Sequence, residues 1–164
     1  MRDFEVIGYT YQEVSQMIIS RERLRKIIYE EIDRMLFEET YGYKEFLADD
    51  QAIFKPGVSY EEYVSSLGNK VPKDKGSVWL YNHHAAEIAW EEKLVDKAKK
   101  HIALAAKINP FGNSITGLLD FIMNKRGSFV DLEEYINQNI EDDEKETAVY
   151  LLNHEDYGQT LKNK

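Results

Sequence analysis

SVWLYNHHAAEIAWEEKLVDKAKKHIALAAKI, residues 77–108, is the stretch that decides how this chain is read. Val78, Trp79, Ile88, Trp90, Leu94, Val95, Ile102, Leu104 and Ile108 recur along it with alanines packed among them. That periodicity predicts one long helix at the centre of the domain. Upstream, Val14, Met17, Ile18, Leu24, Ile27, Ile28, Ile32, Met35 and Leu36 fall at three- and four-residue steps behind a capping box at Thr10 and Glu13. The spacing predicts one long helix, or two in series, over about 11–39, with most charged residues on the opposite face.

Between these blocks, residues 41–75 are aromatic and irregular, with glycines at 42, 57 and 68. They read as a loop-rich flap around one short helix, whose start is marked by Ser59 and Glu62. Tyr41, Tyr43, Phe46, Phe54 and Tyr60 are assigned mainly to the core. Downstream, 114–157 reads as three shorter helical segments over 115–125, 132–139 and 142–157. Pro56, Pro72 and Pro110 stand where the periodicity lapses and act as punctuation. Only Phe4 to Tyr9 alternates like a strand. The expected fold is mainly α. It is a compact helical bundle with two long helices and a C-terminal three-helix, winged-helix-like subdomain, and at most a minor N-terminal strand. The organisation is a single domain, 1–164, made of a helical block (10–40), the flap (41–75), the central helix (77–108) and the C-terminal subdomain (114–157).

The 164 residues include no cysteine, which excludes disulfides, thiolate metal sites and thiol nucleophiles and fits a cytoplasmic location. No leader-like run and no window near the roughly 20 apolar residues of a membrane span is present, so no membrane association is expected. Apolar residues make up 43% and aromatic residues 12%, which supports a folded chain rather than a disordered acidic tail.

Charge is the most localised feature. Ten of the thirty acidic residues lie between Asp131 and Asp156 against one base, Lys145, so that window carries the net charge of −9 found for the whole chain. The remaining twenty acids and twenty bases cancel. One strongly negative surface is therefore available to a partner. Two basic clusters, Arg21, Arg23, Arg25 and Lys26 in one block and Lys97, Lys99, Lys100 and Lys107 in another, read as solvated faces.

The segment ITGLLDFIMNKRGSFVDLEEYINQNIEDDEKETAVYLL, 115–152, resembles the winged-helix or helix-turn-helix family in its rhythm of helix, Gly127 turn, short helix, polar break and final helix. The resemblance implies a transcription regulator. Its would-be recognition helix, however, is studded with Asp142, Asp143, Glu144, Glu146, Glu155 and Asp156, whereas duplex affinity needs Lys and Arg. A calcium loop around Gly127 fails because Ile122, Asn124 and Arg126 occupy ligand positions. Asp131 followed by Glu134 reads as a helix cap. His84, Glu87 and Glu91, with His83 adjacent, would share one helix face and could serve a metal-dependent helical hydrolase, but the second Glu-x-x-His pair of a di-iron bundle is missing. No Gly-rich phosphate loop, GxSxG elbow or HExxH occurs.

These readings converge on a non-catalytic inhibitor without cofactor or metal. Glu141, Asp142, Asp143, Glu144, Glu146, Glu155 and Asp156 form its partner-binding residues, imitating phosphates and occluding a basic, nucleic-acid-binding surface of a target enzyme such as a nuclease. Phage or mobile-element inhibitors such as anti-CRISPR proteins, and toxin-immunity proteins, are classes built on such a surface. Direct nucleic-acid binding is not expected. The transcription regulator and the metal-dependent hydrolase are the alternatives.

Overall fold

A computed structural model describes residues 21–162. The Thr10 and Glu13 capping box and the strand over Phe4 to Tyr9 lie outside the described residues. The chain divides into two compact units, Met1–Thr40 and Tyr41–Lys164.

The main class is as the periodicity predicts: eight α-helices and no strand occur among the described residues. None of these helices is long and apolar enough to cross a membrane. In the first unit, α1 runs Arg21–Thr40. In the second, α2 is Tyr43–Ile53, α3 Tyr60–Leu67, α4 Lys75–Glu91, α5 Val95–Ile108, α6 Ser114–Met123, α7 Phe129–Asn139 and α8 Lys145–Asn153. Short 3₁₀ turns at Asp142–Glu144 and Gly158–Leu161 flank α8.

The predicted helix over 77–108 is two helices. After Glu91 the chain turns back, and α4 and α5 form an αα-hairpin that is the backbone of the second unit. The turn is a Schellman motif. Leu94 N–H donates to the Ala89 carbonyl at 2.8 Å and Lys93 N–H to the Trp90 carbonyl at 3.0 Å, with Lys93 in the left-handed region at φ 64°. Glycine is the usual residue there, and a lysine gives no sequence signal for a stop. What forces the turn is burial. Helix α4 is buried over most of its circumference, from Gly76 and Ser77 through Ala85, Ala86, Ile88, Ala89 and Trp90, with Val78, Tyr81, His84 and Glu87 partly exposed. On α5 a single stripe, Ala98, Ile102 and Ala105, is buried. Ala85, Ala86, Ala89, Ala98 and Ala105 are all fully buried, and such small side chains let two backbones approach closely.

Two hydrophobic clusters lie around this hairpin. One joins it to α6, α7, α8 and the last turn through Leu118, Leu119, Ile122, Leu132, Ile136, Leu151 and Leu161. The other joins it to α2 and α3 through Phe46, Tyr63 and Leu67. Residues 41–75 are therefore no flap. The short helix at Ser59 exists, its cap made by Ser59 Oγ accepting from Glu62 N–H at 3.1 Å. A second helix, α2, precedes it, capped by Glu45 reaching back to Gly42 N–H at 2.9 Å. Of the five aromatics assigned to the core, Phe46 is fully buried and Tyr41, Tyr43, Phe54 and Tyr60 pack partly buried against the cluster.

The three C-terminal segments fall close to their expected places, with one correction. The cap of α7 is Ser128, not Asp131: Ser128 Oγ accepts from Asp131 N–H at 3.2 Å while the Asp131 carboxylate accepts from Ser128 N–H at 2.8 Å. Before it, Lys125 repeats the Schellman turn of Lys93, at φ 48°. A non-glycine residue in that region costs about 1–2 kcal/mol, and the greater freedom of glycine in the unfolded chain offsets roughly 0.4–1 kcal/mol of that. Lys125→Gly should therefore stabilise the protein by about 0.5–1 kcal/mol. The check is a urea midpoint that rises at unchanged m-value.

Candidate functional site

Helix α4 carries His83, His84, Glu87 and Glu91, and all but Glu91 are held by hydrogen bonds or ion pairs among the described residues. Its N-terminus is set by Asp74, which accepts from Ser77 N–H at 2.8 Å. One turn on, the buried Trp79 indole N–H donates to Thr116 Oγ1 at 3.1 Å. His83 Nδ1 lies 2.9 Å from the same hydroxyl, and His83 Nε2 lies 2.9 Å from Glu87 Oε1. The carboxylate only accepts, so His83 Nε2 carries the hydrogen that points to Glu87. This hydroxyl, imidazole and carboxylate series has the connectivity of a nucleophilic triad. Thr116 is fully buried, so the series fastens α6 to α4 and offers its hydroxyl to no substrate.

His84 turns the other way. Its Nδ1 lies 2.8 and 2.9 Å from the two oxygens of Asp50, a carboxylate only 1% exposed that also accepts from the Tyr63 hydroxyl at 2.6 Å. Phe54 stacks on the His84 ring at 3.8 Å between centroids. The expected face of His84, Glu87 and Glu91 is thus divided, with His84 committed to Asp50 and Glu87 to His83. Among the described residues no group of three or more His, Asp or Glu side chains is placed to hold a metal ion.

A third polar tie crosses the hairpin. Asn82 donates from its amide nitrogen to the Val78 carbonyl at 2.7 Å, so its oxygen accepts from His101 Nδ1–H at 2.8 Å. His101 Nε2 then accepts from the Tyr60 hydroxyl at 2.8 Å. Burial, and secondarily the Lys97 charge, hold His101 below its usual pKa. A folded-state value depressed below about 6.5 means that the unfolded chain takes up the proton first. The stabilisation is full above pH ~6.5 and is lost as pH falls through the range below it. Thermal melts of wild type should drop more steeply on acidification from about pH 7 to 5.5 than those of His101→Gln; equal slopes would contradict the assignment.

The seven residues expected to bind a partner lie at the two ends of α8, a nine-residue helix about 13 Å long. Glu141, Asp142, Asp143, Glu144 and Glu146 gather at its start, and Glu155 and Asp156 follow its end. Two have cationic partners: Asp142 with Lys145 at 3.4 Å, and Asp156 with Lys93 at 2.9 Å. Glu144 accepts from the Ser114 hydroxyl and ties the acidic turn to the start of α6. Glu141, Asp143, Glu146 and Glu155 are exposed and have no ion-pair partner among the described residues. Between the two groups, the outer face of α8 presents Val149 and Tyr150, 49% and 62% exposed.

Beside that face lies a cleft of about 450 Å³ that no sequence signal marked. Glu87, Glu91 and Asp156 supply carboxylates to its wall, and Tyr150, His154 and Tyr157 supply rings. Partial burial, with Glu87 close by, pushes the Glu91 carboxyl above its usual pKa. The Tyr157 phenol is raised as well, chiefly by burial. Trp90 N–H donates to the Asp156 carbonyl at 2.5 Å and fixes the segment that closes the cleft. The cleft joins residues from α4, α6, α8 and the final turn, so helical spacing within any single segment could not reveal it.

Comparison with protein-family models, with curated proteins and with solved structures gave no match to this chain.

Proposed function

We propose that this is a protein-binding protein whose ligand is a basic surface on another protein, engaged through the acidic face around α8. The observation that carries this reading is the composition of that face. Exposed acids without cationic partners stand at both ends of the helix, and the exposed Val149 and Tyr150 lie between them. An aromatic and apolar centre within a charged rim is the anatomy of a recognition surface. Carboxylates at this density attract a basic partner over distance and speed its docking.

The adjoining cleft strengthens the reading. Its Glu91 carboxylate, unpaired among the described residues, and the Tyr150 ring suit an arginine or lysine side chain, by charge and by cation–π contact. A target with a groove built for nucleic acid presents such side chains in rows, so the mode of action is occlusion of that groove. The target class is a nucleic-acid-binding enzyme, and the protein itself performs no chemistry on it.

Titration of labelled duplex DNA and single-stranded RNA into the purified protein tests this directly. The expected result is no binding at physiological salt. A tight, salt-dependent complex would overturn the proposal and favour a transcription regulator.

A further inference from the structure

The first compact unit contains an apolar stripe that invites a partner of its own. On α1, Leu24, Ile27, Ile28 and Ile32 fall at three- and four-residue steps and are 44–47% exposed, with Tyr29 at 64% beside them. A single exposed leucine is ordinary, but a row of large apolar side chains along one helix is a contiguous patch of the kind that marks an interface.

Charge along the same helix says what covers it. Arg21 to Lys26 holds four bases and one acid, whereas Ile27 to Thr40 holds five acids and one base. Two such helices laid parallel would set base beside base and acid beside acid. Laid antiparallel, each basic half faces the acidic half of the other helix, and the two helix dipoles also oppose favourably. Antiparallel pairing of identical helices is a two-fold arrangement, so one patch serves both copies. With the two-fold axis near residue 30, Ile28 of one copy lies level with Ile32 of the other, and the stripe meets itself in register.

We infer that α1 is a dimerisation helix, whose occupant is α1 of a second copy packed antiparallel through Leu24, Ile28 and Ile32. The dimer presents two acidic faces, one from each copy. Its formation does not depend on the function proposed for those faces.

The test uses the full chain. Light scattering at tens of micromolar should give the mass of two chains for wild type and of one chain for Ile28→Asp. Orientation is read by a spin label at Arg21→Cys, which reports alone because the chain has no cysteine of its own. Antiparallel pairing separates the two labels by about 27 Å along the helix axes; parallel pairing brings them to about the 8–10 Å spacing of packed helices. A wild-type monomer, a dimer that survives Ile28→Asp, or a short label distance would each overturn the inference. A monomer would assign the stripe to another segment of this chain or to a different protein.

Discussion

Replacing Asp50 with alanine is expected to cost about 2–4 kcal/mol of folding stability, the cost of leaving the buried Tyr63 hydroxyl without its acceptor together with the lost hydrogen bond to His84. The carboxylate is 1% exposed and is the acceptor for the Tyr63 hydroxyl and the partner of His84 Nδ1. Burial, and then the hydrogen bond to Asp50, push the Tyr63 phenol far above its usual pKa, so it remains a donor at any ordinary pH. Alanine leaves the fully buried Tyr63 hydroxyl without an acceptor and takes its partner from the partly exposed His84. Among the described residues every buried side-chain polar atom has a partner, so no spare acceptor stands ready. Asp50→Asn should cost only about 1–2 kcal/mol. Its amide oxygen still accepts from Tyr63, and its NH₂ stays within hydrogen-bond reach of the His84 ring. Urea denaturation of the two variants tests the ordering, and equal losses would mean that the hydrogen bonds contribute little.

The second large effect is expected at Gly158. A Cβ at this position would lie 2.3 Å from the Leu152 carbonyl oxygen and 2.6 Å from the Leu152 Cα. Both atoms are backbone near the end of α8, so no side-chain rotation relieves the overlap. Gly158→Ala should therefore detach the last 3₁₀ turn and expose Leu161, now 4% exposed. The loss is at least the burial of that leucine, about 1.5–3 kcal/mol. Hydrogen exchange should show the amides from Tyr157 to Lys162 opening, while those of α4 and α5 stay protected. Because Tyr157 and Asp156 line the cleft, the same variant should weaken partner binding.

How far the residues could be read in advance depended on whether a feature was local. Helical class, the Ser59 cap and the three C-terminal segments rest on spacing within a dozen residues, and all of them are present. The hairpin was hidden because its turn is made by Lys93 in a conformation that usually calls for glycine, and because alanines that look like helix filler are contact residues between two helices. In 41–75 the apolar steps exist but are short: Tyr43, Phe46, Leu47 and Ile53 on α2 are interrupted by Asp50, and Tyr60, Tyr63, Val64 and Leu67 on α3 span only two turns, so these helices depend on burial against Trp79, Leu80 and Ile88 of α4.

The same limit applies to the candidate site. That 131–156 is acidic could be counted, but that Lys145, Lys93 and Ser114 engage some of its carboxylates depends on tertiary placement. Helical spacing groups Glu87 and Glu91 with His84. His84 instead belongs to Asp50, and the two glutamates share a cleft with Asp156. Thr116, which receives Trp79 and His83, is a lone threonine with no motif around it.

The most direct test of the central proposal compares wild type with a variant carrying amides at Glu141, Asp142, Asp143, Glu144 and Glu146. Both are used as bait in nuclease-treated bacterial lysate, and the retained proteins are identified by mass spectrometry. The account predicts that wild type retains a nucleic-acid-binding enzyme that the amide variant loses, and that added salt releases it. Retention of the same proteins by both baits, or of none by either, would contradict it and leave the acidic face as a solvated surface.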